Sequence, residues 1–227
     1  MYRVVAFDAY GTLFDVYSIT ELAEELFPGQ GQALAVMWRD RQVDYTRLVT
    51  LSDPSPTGSR HYVSFWDLTV LSLRYVCKRL RLTLDAEAEG RLMGQYAGLK
   101  AFDDAAEVLG ILKGRGLATA ILSNGNASML LEVLRSNGLS EAIDRVVSVE
   151  AARLFKTAPQ AYELLLKEFP VKKSEILFVS SNAWDALAAK WFGFDVFWVN
   201  RASQPFEEIG QPPDYEGTCL LDVLQAC

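Results

Sequence analysis

The chain has 227 residues, 50% hydrophobic and 22% charged, with a formal net charge of -7. That length suits one domain, or a core with an inserted subdomain, and buries roughly 70% or more of the unfolded surface without disulfide or metal staples. The acidic balance argues against nucleic acid as a partner, and no apolar run approaches the ~18 residues of a membrane span, so no membrane association is expected.

The amino terminus runs through Met1, Tyr2 and Arg3 straight into a strand signal at Val4 to Phe7, with no long apolar signal core. That strand ends in Asp8, and the Gly-containing turn Ala9-Tyr10-Gly11-Thr12 follows. An apolar strand that closes in this way delivers a carboxylate to the carboxyl edge of a sheet, where open α/β folds place their sites. Asp8 is therefore a candidate nucleophile.

From about Tyr17 to Gly98 the periodicity is helical, with segments at Ile19 to Leu26, Gln30 to Leu48, Tyr62 to Leu80 and Asp85 to Tyr96, interrupted by the Pro- and Ser-rich stretch Ser52 to Gly58. Further strand signals follow at Ala118 to Leu122, Arg145 to Val149, Ile176 to Ser180 and Val196 to Val199. Helical patterns at Asp103 to Lys113, Ser128 to Asn137, Pro159 to Lys167 and Trp184 to Phe192 alternate with them, and Gly116, Gly138 and Gly193 mark helix ends. The alternation predicts a doubly wound, mainly parallel α/β core (Rossmann-like) of residues 1–16 and 99–227. The helical stretch 17–98 reads as an inserted cap subdomain, placed to close over Asp8 and exclude water.

Several polar segments meet Asp8 at the same sheet edge. Ser123-Asn124-Gly125 offers a hydroxyl, an amide and a turn of backbone N–H groups suited to a carboxylate, although an ordinary strand-to-helix turn has the same residues. Lys156 brings a cation that favours the charged form of a nearby carboxylate, where a solvated surface lysine is the plainer reading. Ser180-Ser181-Asn182-Ala183-Trp184-Asp185 forms a dense polar turn at a helix start, with Asp185 near the positive end of the helix dipole. From the helical stretch, Arg39 can supply directed N–H donors to a leaving anion. The residues alone do not separate it from Arg41, and either also fits a surface ion pair.

His61 is the only histidine, which excludes multi-histidine zinc sites and makes it a surface or packing residue. Cys77, Cys219 and Cys227 form no C-x-x-C pair, and their odd number points to a reducing, cytoplasmic setting.

The segments Phe7 to Asp15, Ser123-Asn124-Gly125 and Ser180 to Asp185 together resemble the L-2-haloacid dehalogenases of the haloacid dehalogenase superfamily, over nearly the whole chain. Phosphatases of that superfamily carry Asp-x-Asp at the first motif, whereas this chain has Tyr10 at the second place. The resemblance implies metal- and cofactor-independent hydrolysis of short L-2-haloacids to D-2-hydroxy acids and halide through an ester on Asp8. It assigns Thr12 to supporting the nucleophile loop, Arg39 to halide departure, and Ser123, Asn124 and Lys156 to the carboxylates. Tyr162 matches a further functional position, Ser180, Asn182 and Asp185 the hydrolytic half, and Tyr10, Phe65 and Trp184 an apolar substrate pocket. It also implies a homodimer formed through cap helices.

The chain departs from the family pattern at Thr157, where proline commonly follows the lysine, and at Asp40, where relatives carry a neutral glutamine. Loss of proline loosens the constraint on Lys156 and permits a helical conformation there. Two other readings fit less well: a magnesium-dependent phosphatase of the same fold, short of carboxylate ligands, and a non-catalytic organic-acid-binding relative.

Overall fold

Residues 1–227 are described by a computed structural model. Six strands form one sheet in which every pairing is parallel: β1 (Val4–Phe7), β2 (Ala118–Ser123), β3 (Arg145–Ser148), β4 (Ile176–Ser180), β5 (Asp195–Val199) and β6 (Tyr215–Gly217). Their spatial order is β3-β2-β1-β4-β5-β6. Every residue of β1 and β4 is buried, as parallel strands covered on both faces require. The helices α5 (Ala105–Gly114), α6 (Ala127–Ser136), α7 (Pro159–Glu168) and α8 (Ala183–Phe192) connect them, so the doubly wound α/β class expected from the alternation is the observed one.

The chain order reverses between β1 and β4, the crevice position where such sheets bind ligands. Register brings the site to that point. Phe7 is level with Ile121 on one side and Val179 on the other, so Asp8, the end of β2 and Ser180 emerge at one edge.

Between β1 and α5 lie α1 (Thr20–Leu26), α2 (Gly31–Ser52), α3 (Phe65–Leu80) and α4 (Ala86–Ala97). Buried Trp38 of α2 donates its indole N–H to the Thr69 carbonyl of α3 at 2.8 Å, pinning the two longest helices together. Ser64 and Asp85 cap α3 and α4 by accepting from the Asp67 and Ala88 N–H groups.

Two helix boundaries shift by several residues, and one strand was not expected. The second helix runs to Ser52 rather than Leu48, because buried Thr50 is tied to the core by accepting from the Phe155 N–H at 3.0 Å. The third starts at Phe65 rather than Tyr62, where the Ser64 cap stops backward extension. Strand β6 gave no apolar signal because its three residues, Tyr-Glu-Gly, pair at a solvent-facing edge. No helix is long and apolar enough to cross a membrane.

Candidate active site

The loop after β1 carries Asp8 and turns at once. Gly11 sits at φ +93°, a left-handed conformation that admits glycine without strain. Asp8 is 5% exposed and both of its oxygens are held. One accepts from the Lys156 Nζ at 2.9 Å; the other accepts from the Asn182 side-chain amide at 2.8 Å and the Thr12 hydroxyl at 3.3 Å. Thr12 in turn accepts from the Ser181 N–H at 2.8 Å, joining the β1 loop to the β4 loop.

Lys156 is 1% exposed and lies between two carboxylates, with Asp185 Oδ2 2.8 Å away. Its own N–H donates to Asn124 Oδ1 at 2.9 Å, so Asn124 fixes the backbone that aims the lysine. The Lys156–Thr157 peptide bond is cis, and the residue lies in a turn, not the helix that loss of proline would permit. Burial opposes the charge on Lys156, but Asp185 and Asp8 outweigh it and raise the ammonium above its ordinary value.

Asp185 is fully buried in the first turn of α8. Its Oδ1 accepts from the Tyr162 hydroxyl at 2.7 Å, and its Oδ2 from Ser180 at 3.1 Å as well as from Lys156. Desolvation pushes this carboxyl up to about 6; Lys156 pulls the other way, and the nearby Asp8 adds to the rise. The Tyr162 phenol is driven well above its ordinary range by burial and by Asp185.

Arg39 reaches this edge from α2. One terminal nitrogen donates to the Tyr10 carbonyl at 3.0 Å and to Asn182 Oδ1 at 3.4 Å; the other donates to Gln42 Oε1 at 2.9 Å. Arg41 instead pairs with Asp44 and stacks over Tyr75, which separates two arginines that the sequence left equivalent. Tyr10 is 2% exposed, with its ring 5.7 Å from Phe65 and 5.6 Å from Tyr96.

The expected residues do not all converge. Ser123 is buried, but its hydroxyl accepts from the Gly125 N–H and touches neither carboxylate. Trp184 is not in the aromatic wall with Tyr10 and Phe65. It lines an adjoining cleft of about 710 Å³ that shares Arg39 and Asn182 with the Asp8 site, and there Arg47 packs over its ring. Asp40 is exposed on the same cleft. His61 is exposed, and its backbone N–H donates to the Ser59 hydroxyl.

Three contributors were missed. Gln42 sits one turn beyond Arg39, a spacing that puts both on one helix face. Tyr96 carried no signal beyond an apolar helix position. Arg201 follows β5 and donates to the Gly11 and Thr12 carbonyls and to the Ser181 hydroxyl, clamping the β1 and β4 loops while stacking 3.7 Å over Phe102.

A divalent cation does not fit this set. No group of three or more His, Cys, Asp or Glu side chains is placed to hold one, and the space between Asp8 and Asp185 is filled by the Lys156 ammonium.

Fold and site together define a Rossmann-like α/β enzyme with an aspartate at the end of its first strand, buried beneath a helical layer. Residues 2–193 match the haloacid dehalogenase-like hydrolases, and the chain belongs to that family. It is 41% identical to an (S)-2-haloacid dehalogenase of Pseudomonas sp. (strain YL), over 97% of this chain and 92% of the relative. Among solved structures, an L-2-haloacid dehalogenase superposes with a TM-score of 0.96 at 52% identity, covering 99% of this chain and 98% of that one. The L-2-haloacid dehalogenase of Xanthobacter autotrophicus with chloropropionic acid covalently bound gives 0.90 at 34% identity, covering 100% and 99%.

Proposed function

We propose that this carbon–halide hydrolase converts short L-2-haloacids to D-2-hydroxy acids and halide through an ester on Asp8. The observation that carries the reading is the setting of Asp8: a buried carboxylate held by Lys156 and Asn182, beneath the cationic Arg39, with an aromatic residue at position 10 in place of a second acid. The covalent chloropropionic acid complex of the Xanthobacter relative supports it.

A carboxylate oxygen of Asp8 attacks C2 from the side opposite the halogen. The C–O bond forms as the carbon–halogen bond breaks, the halide leaves with the electron pair towards Arg39, and C2 inverts. Water then adds to the ester carbonyl carbon of Asp8 and gives one proton to Asp185. As the adduct collapses the departing C2 oxygen takes that proton, freeing the hydroxy acid, and the remaining acid proton of Asp8 passes to solvent, restoring the carboxylate. Thr12, Ser180, Tyr162 and Asn124 hold the groups that react. Tyr10 and Phe65 wall the substrate side, Trp184 lines the cleft that adjoins it, and Ser123 braces the turn after β2. No step calls for a metal.

In the same reading, residues 17–98 are a cap over the core of 1–16 and 99–227, and the protein works as a cytoplasmic homodimer. Arg39, bonded to the Tyr10 carbonyl and Asn182, bridges cap and core.

Single turnover in oxygen-18 water, with enzyme in excess, tests the ester. Label is expected in Asp8 and not in the hydroxy acid, and Asp8→Asn is expected to release no halide from L-2-chloropropionate. Label in the product of the first turnover would mean direct attack of water on C2.

A further inference from the structure

Gln42 is fully buried among the helices over the sheet edge, and each of its polar atoms is engaged. Its Oε1 accepts from Arg39 at 2.9 Å, and its Nε2 donates to Thr69 Oγ1 at 2.6 Å; the Tyr96 hydroxyl lies within hydrogen-bond distance of both.

The amide has one orientation available. Thr69 commits its hydroxyl proton to the Phe65 carbonyl at 2.7 Å, one turn back in α3, so towards Gln42 it can only accept. Arginine has donors alone, so towards Gln42 it can only donate. A directed chain therefore runs from Arg39 through the Gln42 carbonyl and from the Gln42 amide through Thr69 to the Phe65 carbonyl. It ties the guanidinium of α2 to the backbone of α3.

The charge matters as much as the direction. None of the protein's ion pairs involves Arg39. Its three acceptors, Gln42 Oε1, the Tyr10 carbonyl and Asn182 Oδ1, are all neutral. Neither nearby acid of α2 pairs with it: Asp44 lies on Arg41, and Asp40, which lines the same cleft as Arg39, is in no ion pair. Glutamate at position 42 would have the same reach but would neutralise the guanidinium before any anion arrived.

We propose that Gln42 is a positioning residue, a neutral acceptor that aims the Arg39 guanidinium at the departing halide and leaves its full charge for that anion. This rests on the dehalogenase reading. Its consequence is specific, because an interaction made with the leaving group matters most for the poorer leaving group.

The test uses the wild type, Gln42→Met, Gln42→Glu and Thr69→Val, each checked for wild-type-like thermal unfolding. It measures single-turnover halide release from L-2-chloropropionate and L-2-bromopropionate, steady-state kcat and KM, and bromide affinity by tryptophan fluorescence. Gln42→Met is expected to slow chloride release about tenfold and bromide release less, with KM changed by no more than about threefold. Gln42→Glu is expected to slow both further and to weaken bromide binding by about tenfold. Thr69→Val, which removes only the far end of the chain, should show the same leaving-group signature at smaller size even if both Gln42 variants unfold. Folded variants that slow both substrates by one factor, or leave them unchanged, with bromide affinity intact, would overturn the proposal. If the wild type released neither halide, the dehalogenase reading would fail separately, and the bromide titration would still decide the point: equal affinity in wild type and Gln42→Glu would refute an anion-aiming role.

Discussion

Lys156 stands between Asp8 and Asp185, and that single ammonium lets two carboxylates share a buried site in different surroundings. Asp8 also takes donors from Asn182 and Thr12. Asp185 has no exposure at all, and desolvation lifts it from the ordinary 3.8 to about 6. The sign follows from the direction of that shift. The folded state holds the Asp185 proton more tightly than the unfolded chain, so this group's contribution to stability is greatest below about 4 and declines as pH rises through about 6. In the proposed mechanism activity runs the other way, because a protonated Asp185 cannot take a proton from water. Hydrolysis of a preformed Asp8 ester, followed by rapid quench and mass spectrometry, is expected to fall about tenfold per pH unit below this limb. A rate constant that stays flat from about pH 5 to 8 would rule out Asp185 as the base.

At the scale of elements, the site depends on how closely the turn after β2 approaches the loop after β1. A Cβ built on Gly125 would lie 2.8 Å from the Tyr10 ring and 3.3 Å from Leu130 Cγ. Tyr10 cannot retreat, since Phe65 of α3 and Tyr96 of α4 stack against it. Glycine at this turn is therefore what lets the β2–α6 connection pass under the nucleophile loop. Gly125→Ala is expected to destabilise the fold by about 1–3 kcal/mol in urea unfolding through overpacking, and to lower halide release by moving the loop that carries Asp8. Unchanged stability and turnover would mean that the loop yields freely.

Across the whole molecule, the long helices α2 and α3 expose Leu48, Leu51, Leu71 and Tyr75, pairs spaced one turn apart on each helix. Apolar side chains grouped in this way favour burial against a partner, and the homodimer reading assigns them that place. Leu48→Asp combined with Leu51→Asp is expected to shift the protein to monomer in light scattering, leaving the core fold intact by circular dichroism. A wild type that is monomeric at micromolar concentration would refute this assignment.

The sequence by itself determined five of the six strands, their alternation with helices and the polar residues at their carboxyl ends. Those signals are local: short continuous apolar runs, helical periodicity, glycine at turns. Asp8, Lys156, Asn182 and Asp185 were legible because strand ends converge at one edge in any parallel sheet wound both ways. Only the tertiary structure decided the rest. It separated Arg39 from Arg41, gave Ser123 to its own turn, set Trp184 in the neighbouring cleft away from Tyr10, and brought in Gln42, Tyr96 and Arg201. Each of those outcomes depends on which helix face meets which loop across tens to hundreds of residues of chain, and on hydrogen bonds whose partners share no local pattern. Periodicity states that a face is buried; packing alone states against what.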